Sequence, residues 1–335
     1  IGRKKENMVK ETIIFALTSS VDLASKIAED LELPLGKIKV DHFADGEILV
    51  TPQETVRGRS VFLVQSTCTP VTERLMEVLV CIDALKRASA AEINVITPYF
   101  GYARQDRKAD AHQPITAKLV ANLLQTAGAS RVLTIDIHAP QIQGFFDIPV
   151  DDLTSVPMLG YHILKTMKVE KDNFVVVSPD HGGVVRARRL AEILQAPLAI
   201  VDKRRPRPNE VEAQNVIGDV EGKTCIVVDD ICDTAGSLVA ACKIIAEHGA
   251  KEVYAAVSHG IFSRDAIEKI QNSPITMMYV TDTIPLTEEA KKCEKIVQLS
   301  VADMIAQAID AIQNHKSVSR VYDLYESKKL QSLED

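Results

Sequence analysis

The chain has 335 residues, with 39 Lys and Arg against 46 Asp and Glu, for a net charge of −7. At ~150 residues per domain this length suggests two domains, each with its own core, and 46% hydrophobic with 25% charged residues excludes a disordered chain. The acidic balance argues against a nucleic-acid coat or a membrane-surface protein, which need a positive field, and no apolar run approaches the ~20 residues of a membrane span.

Thr12–Leu17 (TIIFAL) predicts a strand, and Ser20 a cap for a helix with Leu23, Ile27 and Leu31 on its face. Gly58–Gln65 predicts a second strand and Thr72–Arg87 a helix. Glu92–Thr97 is a strand running into the loop PYFGYARQDRK. Thr116 opens a helix with Leu119, Leu123 and Ala127 on one face and Gly128 at its end, and Val132–Ile137 leads to His138. The second half repeats the rhythm: Phe174–Val177 is a strand, Ser178–Gly183 a Gly-containing loop and Val184–Leu194 a helix. Thr224–Val228 is a strand, Asp229–Ser237 a loop, Leu238–Glu247 a helix ended by Gly249, and Val253–Val257 a strand. Short β-branched runs alternating with helical segments predict an α/β fold with mainly parallel sheets.

Two stretches read as copies. GRSVFLVQS from Gly58, with its helix and the strand ending at Thr97, parallels GKTCIVVDD from Gly222, with its helix and the strand ending near Val257. A period of roughly 160 residues is too long for a solenoid and fits a duplicated domain. Two similar tandem domains are therefore expected, 8–155 and 156–322. The copies differ after the strand: QSTCTP (Gln65–Pro70) stands where the second has DDICDTAGS (Asp229–Ser237), so only the second keeps an anion loop.

That second segment, CIVVDDICDTAGSL from Cys225, is an apolar strand ending in two acids, with a small-residue loop feeding a helix. Ligands of α/β sheets bind at the carboxyl ends of strands. Thr234, Ala235, Gly236 and Ser237 would offer amides and hydroxyls to a phosphate at the helix N-terminus. Asp229 and Asp230 can accept hydrogen bonds from two adjacent sugar hydroxyls or hold a cation. The plainer alternative is a solvated acidic turn with a helix cap. The six cysteines form no C-x-x-C pair and are expected to be reduced thiols of a cytoplasmic protein. Cys232, inside the loop, could be acidified at a helix N-terminus, but burial and inertness are the expectation. Trp is absent, which argues against stacking on single-stranded bases. Met8 is a natural start, so Ile1–Asn7 reads as a cloning remnant.

The Asp229–Ser237 loop resembles the phosphoribosyl-diphosphate loop of the type I phosphoribosyltransferases. FADGE (Phe43–Glu47), TPYFGYARQDR (Thr97–Arg107), DIHA (Asp136–Ala139), QIQGFF (Gln141–Phe146), SPDHGG (Ser178–Gly183) and DKRRP (Asp202–Pro206) narrow the match. Together they resemble the class I ribose-phosphate pyrophosphokinase family from about Ile13 to about Tyr322. The resemblance implies the type I phosphoribosyltransferase fold in both domains and transfer of a diphosphoryl group from Mg-ATP to ribose 5-phosphate. It implies catalytic cations at Lys203 and Arg205 in a mobile loop, and ATP contacts at Arg104, Gln105 and His138, with Phe43, Asp45 and Glu47 reaching a neighbouring subunit's adenine. It further implies Mg²⁺ held by His138 and Asp180, a diphosphate loop of Asp180, His181, Gly182 and Gly183, and a ribose 5-phosphate site of Asp229, Asp230 and Asp233–Ser237. Such a protein would form a homodimer and a homohexamer, with inorganic phosphate as activator and an allosteric site near Gln143, Ser317 and Ser319.

His112 and Gln113 stand where the family commonly has an Arg, and Pro140 where many members have Ser. Both changes predict weakened or pH-dependent phosphate activation and ADP inhibition, because His112 is only partly charged near neutrality. Two other classes compete. A base phosphoribosyltransferase shares the sugar-phosphate loop but has one core domain; a non-catalytic regulatory relative would not need Lys203, Arg205, His138 and Asp180 together.

Overall fold

The structure, a computed structural model, describes residues 12–167, 173–204 and 213–322. Chain contacts divide these into two units. The N-terminal unit spans residues 12–153 together with 283–285 and 300–321; the other takes 154–282, 286–299 and 322.

In the N-terminal unit the chain runs β1 (Thr12–Ala16), α1 (Val21–Asp30), β2 (Ile38–His42), β3 (Ile48–Pro52), β4 (Ser60–Val64), α2 (Val71–Arg87), β5 (Glu92–Ile96), α3 (Thr116–Ala127), β6 (Arg131–Ile135) and β7 (Val150–Leu153). Strands β1-β4-β5-β6-β7 form one sheet in that order, all parallel, and β2–β3 is an antiparallel hairpin beside it. Ile13–Ala16 and Val61–Val64 are buried at every position, as expected for parallel strands covered on both faces.

The second unit has α4 (Val156–Thr166), β8 (Phe174–Ser178), α5 (Val184–Leu194), β9 (Leu198–Arg204), β10 (Ala213–Ile217), β11 (Thr224–Cys232) and α6 (Gly236–Glu247). It continues with β12 (Glu252–Gly260), α7 (Ala266–Gln271), β13 (Ile275–Thr281), α8 (Glu288–Lys291) and β14 (Ile296–Leu299). Its sheet order is β10-β9-β8-β11-β12-β13-β14, and only β10 is antiparallel to its neighbour. The run β8-β11-β12-β13-β14 repeats β1-β4-β5-β6-β7, and the β9–β10 hairpin occupies the place of β2–β3. The fold is therefore one α/β plan used twice.

The last long helix of the chain returns to the first unit. Helix α4 follows β7 in the chain but packs on α5, and α9 (Ala302–Gln313) follows β14 but packs on α1. Gly160 permits the first of these contacts: a Cβ there would lie 2.7 Å from Cγ2 of Ile193. The contiguous 8–155 and 156–322 division expected from the sequence thus differs from the contact division, because 300–321 is buried against the N-terminal unit.

Local expectations shift in three places. Ser20 stands at the N-cap of α1 without a side-chain cap bond; its hydroxyl accepts the Ser66 N–H instead, at 2.9 Å. The α3 face turned to the core is Ala117, Val120, Ala121 and Leu124, whereas Leu119 is 55% exposed and Leu123 37%. Small residues let α3 approach closely, so the bulkier row faces outward. Finally, Asp229–Cys232 belong to β11 and Gly236–Ser237 to α6, which shortens the expected loop to residues 233–235. All six cysteines are free thiols and buried.

Candidate active site

In the second sheet β8 leads through α5 to β9 on one side, and β11 leads through α6 to β12 on the other. The crevice at the carboxyl ends of the paired strands β8 and β11 is therefore the topological switch point, where ligands of open α/β sheets bind. The sequence delivers SPDHGG from β8 and DDICDTAGS from β11 to this crevice.

The β8 loop is shaped by its own polar groups. The Ser178 hydroxyl donates to the Asp180 carbonyl at 2.6 Å, and the Gly183 amide donates to Oδ1 of Asp180 at 3.0 Å. A Cβ on Gly183 would lie 3.0 Å from Oγ of Ser178, a tight contact that a glycine avoids. Asp180, His181 and Gly182 are exposed. Nε2 of His181 lies 3.0 Å from Oδ1 of Asp202, a buried carboxylate on β9, which ties the loop to the strand carrying Lys203.

At the end of β11, Oδ1 of Asp229 accepts the Asp230 amide at 2.9 Å. One guanidinium nitrogen of Arg186, on the first turn of α5, lies 3.4 Å from Oδ1 of Asp229 and 3.4 Å from Oδ1 of Asp230. Burial holds the Asp229 carboxyl above the ordinary carboxylate range, the adjacent Asp230 carboxylate adds to the rise, and Arg186 opposes it. Beyond Cys232 the chain turns through Ala235 in the left-handed region (φ 58°). Its backbone is pinned by the Ile261 and Ser263 amides, which donate to the carbonyls of Cys232 and Asp233. The first helical bond of α6 runs from Val239 N to Ala235 O, so the amides of Gly236, Ser237 and Leu238 form the open helix start. Gly236 and Ser237 are exposed. The Cys232 thiol is pushed up to about 12 by burial and by the Asp229 and Asp233 carboxylates, so it is protonated and inert, as expected.

The N-terminal unit places its candidates at the same edge of its own sheet. Arg104 and Gln105 are exposed on the loop after β5, and His138 is exposed after β6. The Gln105 backbone accepts from Ala117 N at 3.1 Å, and its side-chain oxygen accepts from the Thr116 hydroxyl, which sets Gln105 against the start of α3. Phe43, Asp45 and Glu47 form the tip of the β2–β3 hairpin, where Gly46 has φ +93° and Phe43 is 54% exposed.

The remaining candidates fall elsewhere. The side chain of Lys203 and the whole of Arg205 lie outside the described residues; the Lys203 backbone is in β9, opposite Gln214 of β10. Ile1–Asn7 also lies outside them. Gln143 turns its amide onto the Pro140 carbonyl at 3.3 Å, and the hydroxyls of Ser317 and Ser319 are 2.7 Å apart. His112 has a positive φ of 67°, and Gln113 pairs with Asp110.

A model described as the N-terminal domain of ribose phosphate pyrophosphokinase matches residues 12–128, and one described as the phosphoribosyl synthetase-associated domain matches 204–323. The chain is 57% identical over 310 residues to a ribose-phosphate pyrophosphokinase of Bacillus caldolyticus, covering 92% of this chain and 97% of that protein. The chain belongs to the ribose-phosphate pyrophosphokinase family. Another member, from Corynebacterium ammoniagenes, is 54% identical over 310 residues, covering 92% of this chain and 96% of that protein. The crystal structure of a phosphoribosylpyrophosphate synthetase from Mycobacterium smegmatis superposes with a TM-score of 0.85 at 40% identity, covering 91% of this chain and 99% of that one.

A pyrophosphokinase of this family handles ATP with magnesium, and the donor set here fits that ion. Among the described residues no three His, Cys, Asp or Glu side chains cluster. Magnesium instead takes one or two protein ligands and keeps its waters and phosphate oxygens. The exposed Asp180 carboxylate, oriented by the Gly183 amide, has that character. Sequence reasoning missed Arg186 and Asp202. The run Arg186-Ala-Arg-Arg189 after SPDHGG was the available signal for the first, because a cation one turn into a helix can reach the strand ends beneath it.

Proposed function

We infer that the chain is a ribose-phosphate diphosphokinase. The anomeric hydroxyl of ribose 5-phosphate attacks the β-phosphorus of ATP and loses its proton. The new O–Pβ bond forms as the Pβ–O bond to the α-phosphate breaks, and AMP leaves with 5-phosphoribosyl 1-diphosphate as product. The observation that carries this reading is the pairing, at one switch point, of two adjacent carboxylates with an open helix start.

In this reading Asp229 and Asp230 accept hydrogen bonds from two ring hydroxyls, and Asp233–Ser237 hold the 5-phosphate with amides, hydroxyls and the helix dipole. The 178–183 loop follows the diphosphate, where Gly182 and Gly183 leave room for backbone approach. Arg104 and Gln105 hold ATP. Asp180 and, by the family resemblance, His138 are the residues that would hold magnesium, which would supply charge neutralisation to the phosphates. Lys203 and Arg205 close over the transferring group. Phosphoryl transfer needs positioning and charge stabilisation more than covalent help, so two cations suffice. The exposed Phe43–Glu47 tip completes the adenine site of a second copy, which makes the working unit a homodimer and, by the family resemblance, part of a homohexamer. Inorganic phosphate acts as an activator at a site including Gln143, Ser317 and Ser319. Reaction in the cytoplasm fits the free, buried thiols; no helix among the described residues is long and apolar enough to cross a membrane.

Incubation with Mg-ATP and ribose 5-phosphate should release AMP in equal amounts to 5-phosphoribosyl 1-diphosphate. Release of pyrophosphate from added 5-phosphoribosyl 1-diphosphate and a free base, without AMP, would instead identify a base phosphoribosyltransferase. No turnover in either assay, with ribose 5-phosphate still bound, would mark a non-catalytic subunit.

A further inference from the structure

We propose that Arg186 is a positioning residue for ribose 5-phosphate: its guanidinium draws the Asp229 and Asp230 side chains together and aims them at the sugar hydroxyls. The proposal rests on the diphosphokinase reading of the site and names a residue that acts through two others. Successive residues of a strand point to opposite faces, yet one nitrogen of Arg186 lies 3.4 Å from Oδ1 of both Asp229 and Asp230. The pair can converge there because the Asp230 amide donates to Oδ1 of Asp229, folding that side chain back along the strand end. Asp229 and Asp230 side chains are 24% and 7% exposed, so two acidic groups sit side by side with little water to screen the charge they carry. A third anion, the sugar phosphate or diphosphate, must then enter the same crevice. A cation shared by both carboxylates offsets this repulsion and fixes their orientation before substrate arrives.

The duplicated fold supplies an internal control. Helices α1 and α5 occupy the same place in the two units, beginning at Val21 and Val184. Their third residues are Leu23, 5% exposed, and Arg186. The strand ends they face carry Gln65 and Ser66 in one case and Asp229 and Asp230 in the other. Where the acids are absent the helix offers a buried leucine; where they are present it offers a guanidinium. An arginine serving only helix solubility would have no reason to follow the acids.

The test is steady-state kinetics and melting on the full-length protein and its Arg186→Gln, Arg186→Lys, Asp229→Asn and Arg186→Gln/Asp229→Asn variants. Charge-assisted hydrogen bonds of this kind change affinity by about 10- to 100-fold. Arg186→Gln should raise KM for ribose 5-phosphate by about that factor while KM for ATP stays within about twofold. Arg186→Lys should recover part of the loss. In the Asp229→Asn background the Arg186→Gln step should cost far less than it does alone, because the partner charge has gone. An unchanged KM for ribose 5-phosphate in Arg186→Gln would overturn the proposal. So would equal losses for both substrates in step with a fall in Tm, or full additivity in the double variant. Absence of AMP formation by the unmodified protein would instead overturn the diphosphokinase reading, so the two failures are distinguishable.

Discussion

At the end of β4 the chain delivers Gln65 and Ser66; at the same place in the second copy, the end of β11, it delivers Asp229 and Asp230. The first end is closed by its own side chains. Glu77, fully buried on α2, pairs with Arg74 at 2.6 Å, accepts the Thr18 hydroxyl at 2.7 Å and accepts the Gln65 amide at 2.7 Å. Oε1 of Gln65 in turn accepts the Ser19 amide and hydroxyl. In this network both oxygens of Glu77 and both polar atoms of Gln65 are used within the unit, while Nε of Arg74 is buried without a hydrogen-bond partner. The second end keeps acids beneath an open helix start, with one arginine against them; in the proposed function sugar hydroxyls complete the set. One fold thus carries a strand end filled by its own side chains and a strand end with paired acids beside an open helix start.

Removing charge from the open end should cost the most. Lys203→Ala should lower kcat by about 10²–10³ and leave KM for ribose 5-phosphate within about twofold, since those contacts act in the transition state; a near-unchanged kcat would remove Lys203 from the catalytic group. The closed end should respond in stability instead. Gln65→Asp sets a second carboxylate against buried Glu77, with a cost of about 3 kcal/mol and a Tm lower by roughly 6–12 °C. Calorimetry should show this loss without a second ribose 5-phosphate site by titration.

A smaller effect distinguishes the ends by pH. The raised Asp229 carboxyl is protonated in part of the ligand-free protein near neutrality, whereas sugar binding calls for its ionised form. Ribose 5-phosphate binding should therefore release protons and weaken as pH falls from about 8.5 to about 5.5. The stability of the ligand-free fold should move the opposite way, because a raised carboxyl favours folding at low pH and that contribution is lost as pH rises through its folded value. Calorimetry in buffers of different ionisation enthalpy reads the first, and melting against pH the second. Smallest is the effect of thiol reagents: Cys232, 2% exposed and with its thiol pushed up to about 12, should resist alkylation in the native protein and react only after unfolding.

The amino-acid sequence by itself determined the α/β class, the duplication and the loops at the carboxyl ends of the strands, because those depend on local signals. Strand-length β-branched runs, DDICDTAGS before a helical segment and SPDHGG after a strand are legible from neighbours along the chain. The outward turn of Leu119 and Leu123 was not, because helical spacing allows two adjacent rows on α3 and only packing against the sheet chooses between them. Nor was the return of α9 to the N-terminal unit, which periodicity cannot distinguish from packing on the nearer sheet. Tertiary structure alone decided that Arg186 meets Asp229 and Asp230, 43 and 44 residues on, and that Glu77 meets Thr18 across 59. A buried charge is stable only beside its partner, and which partner it finds is set where strand ends converge, not by distance along the chain.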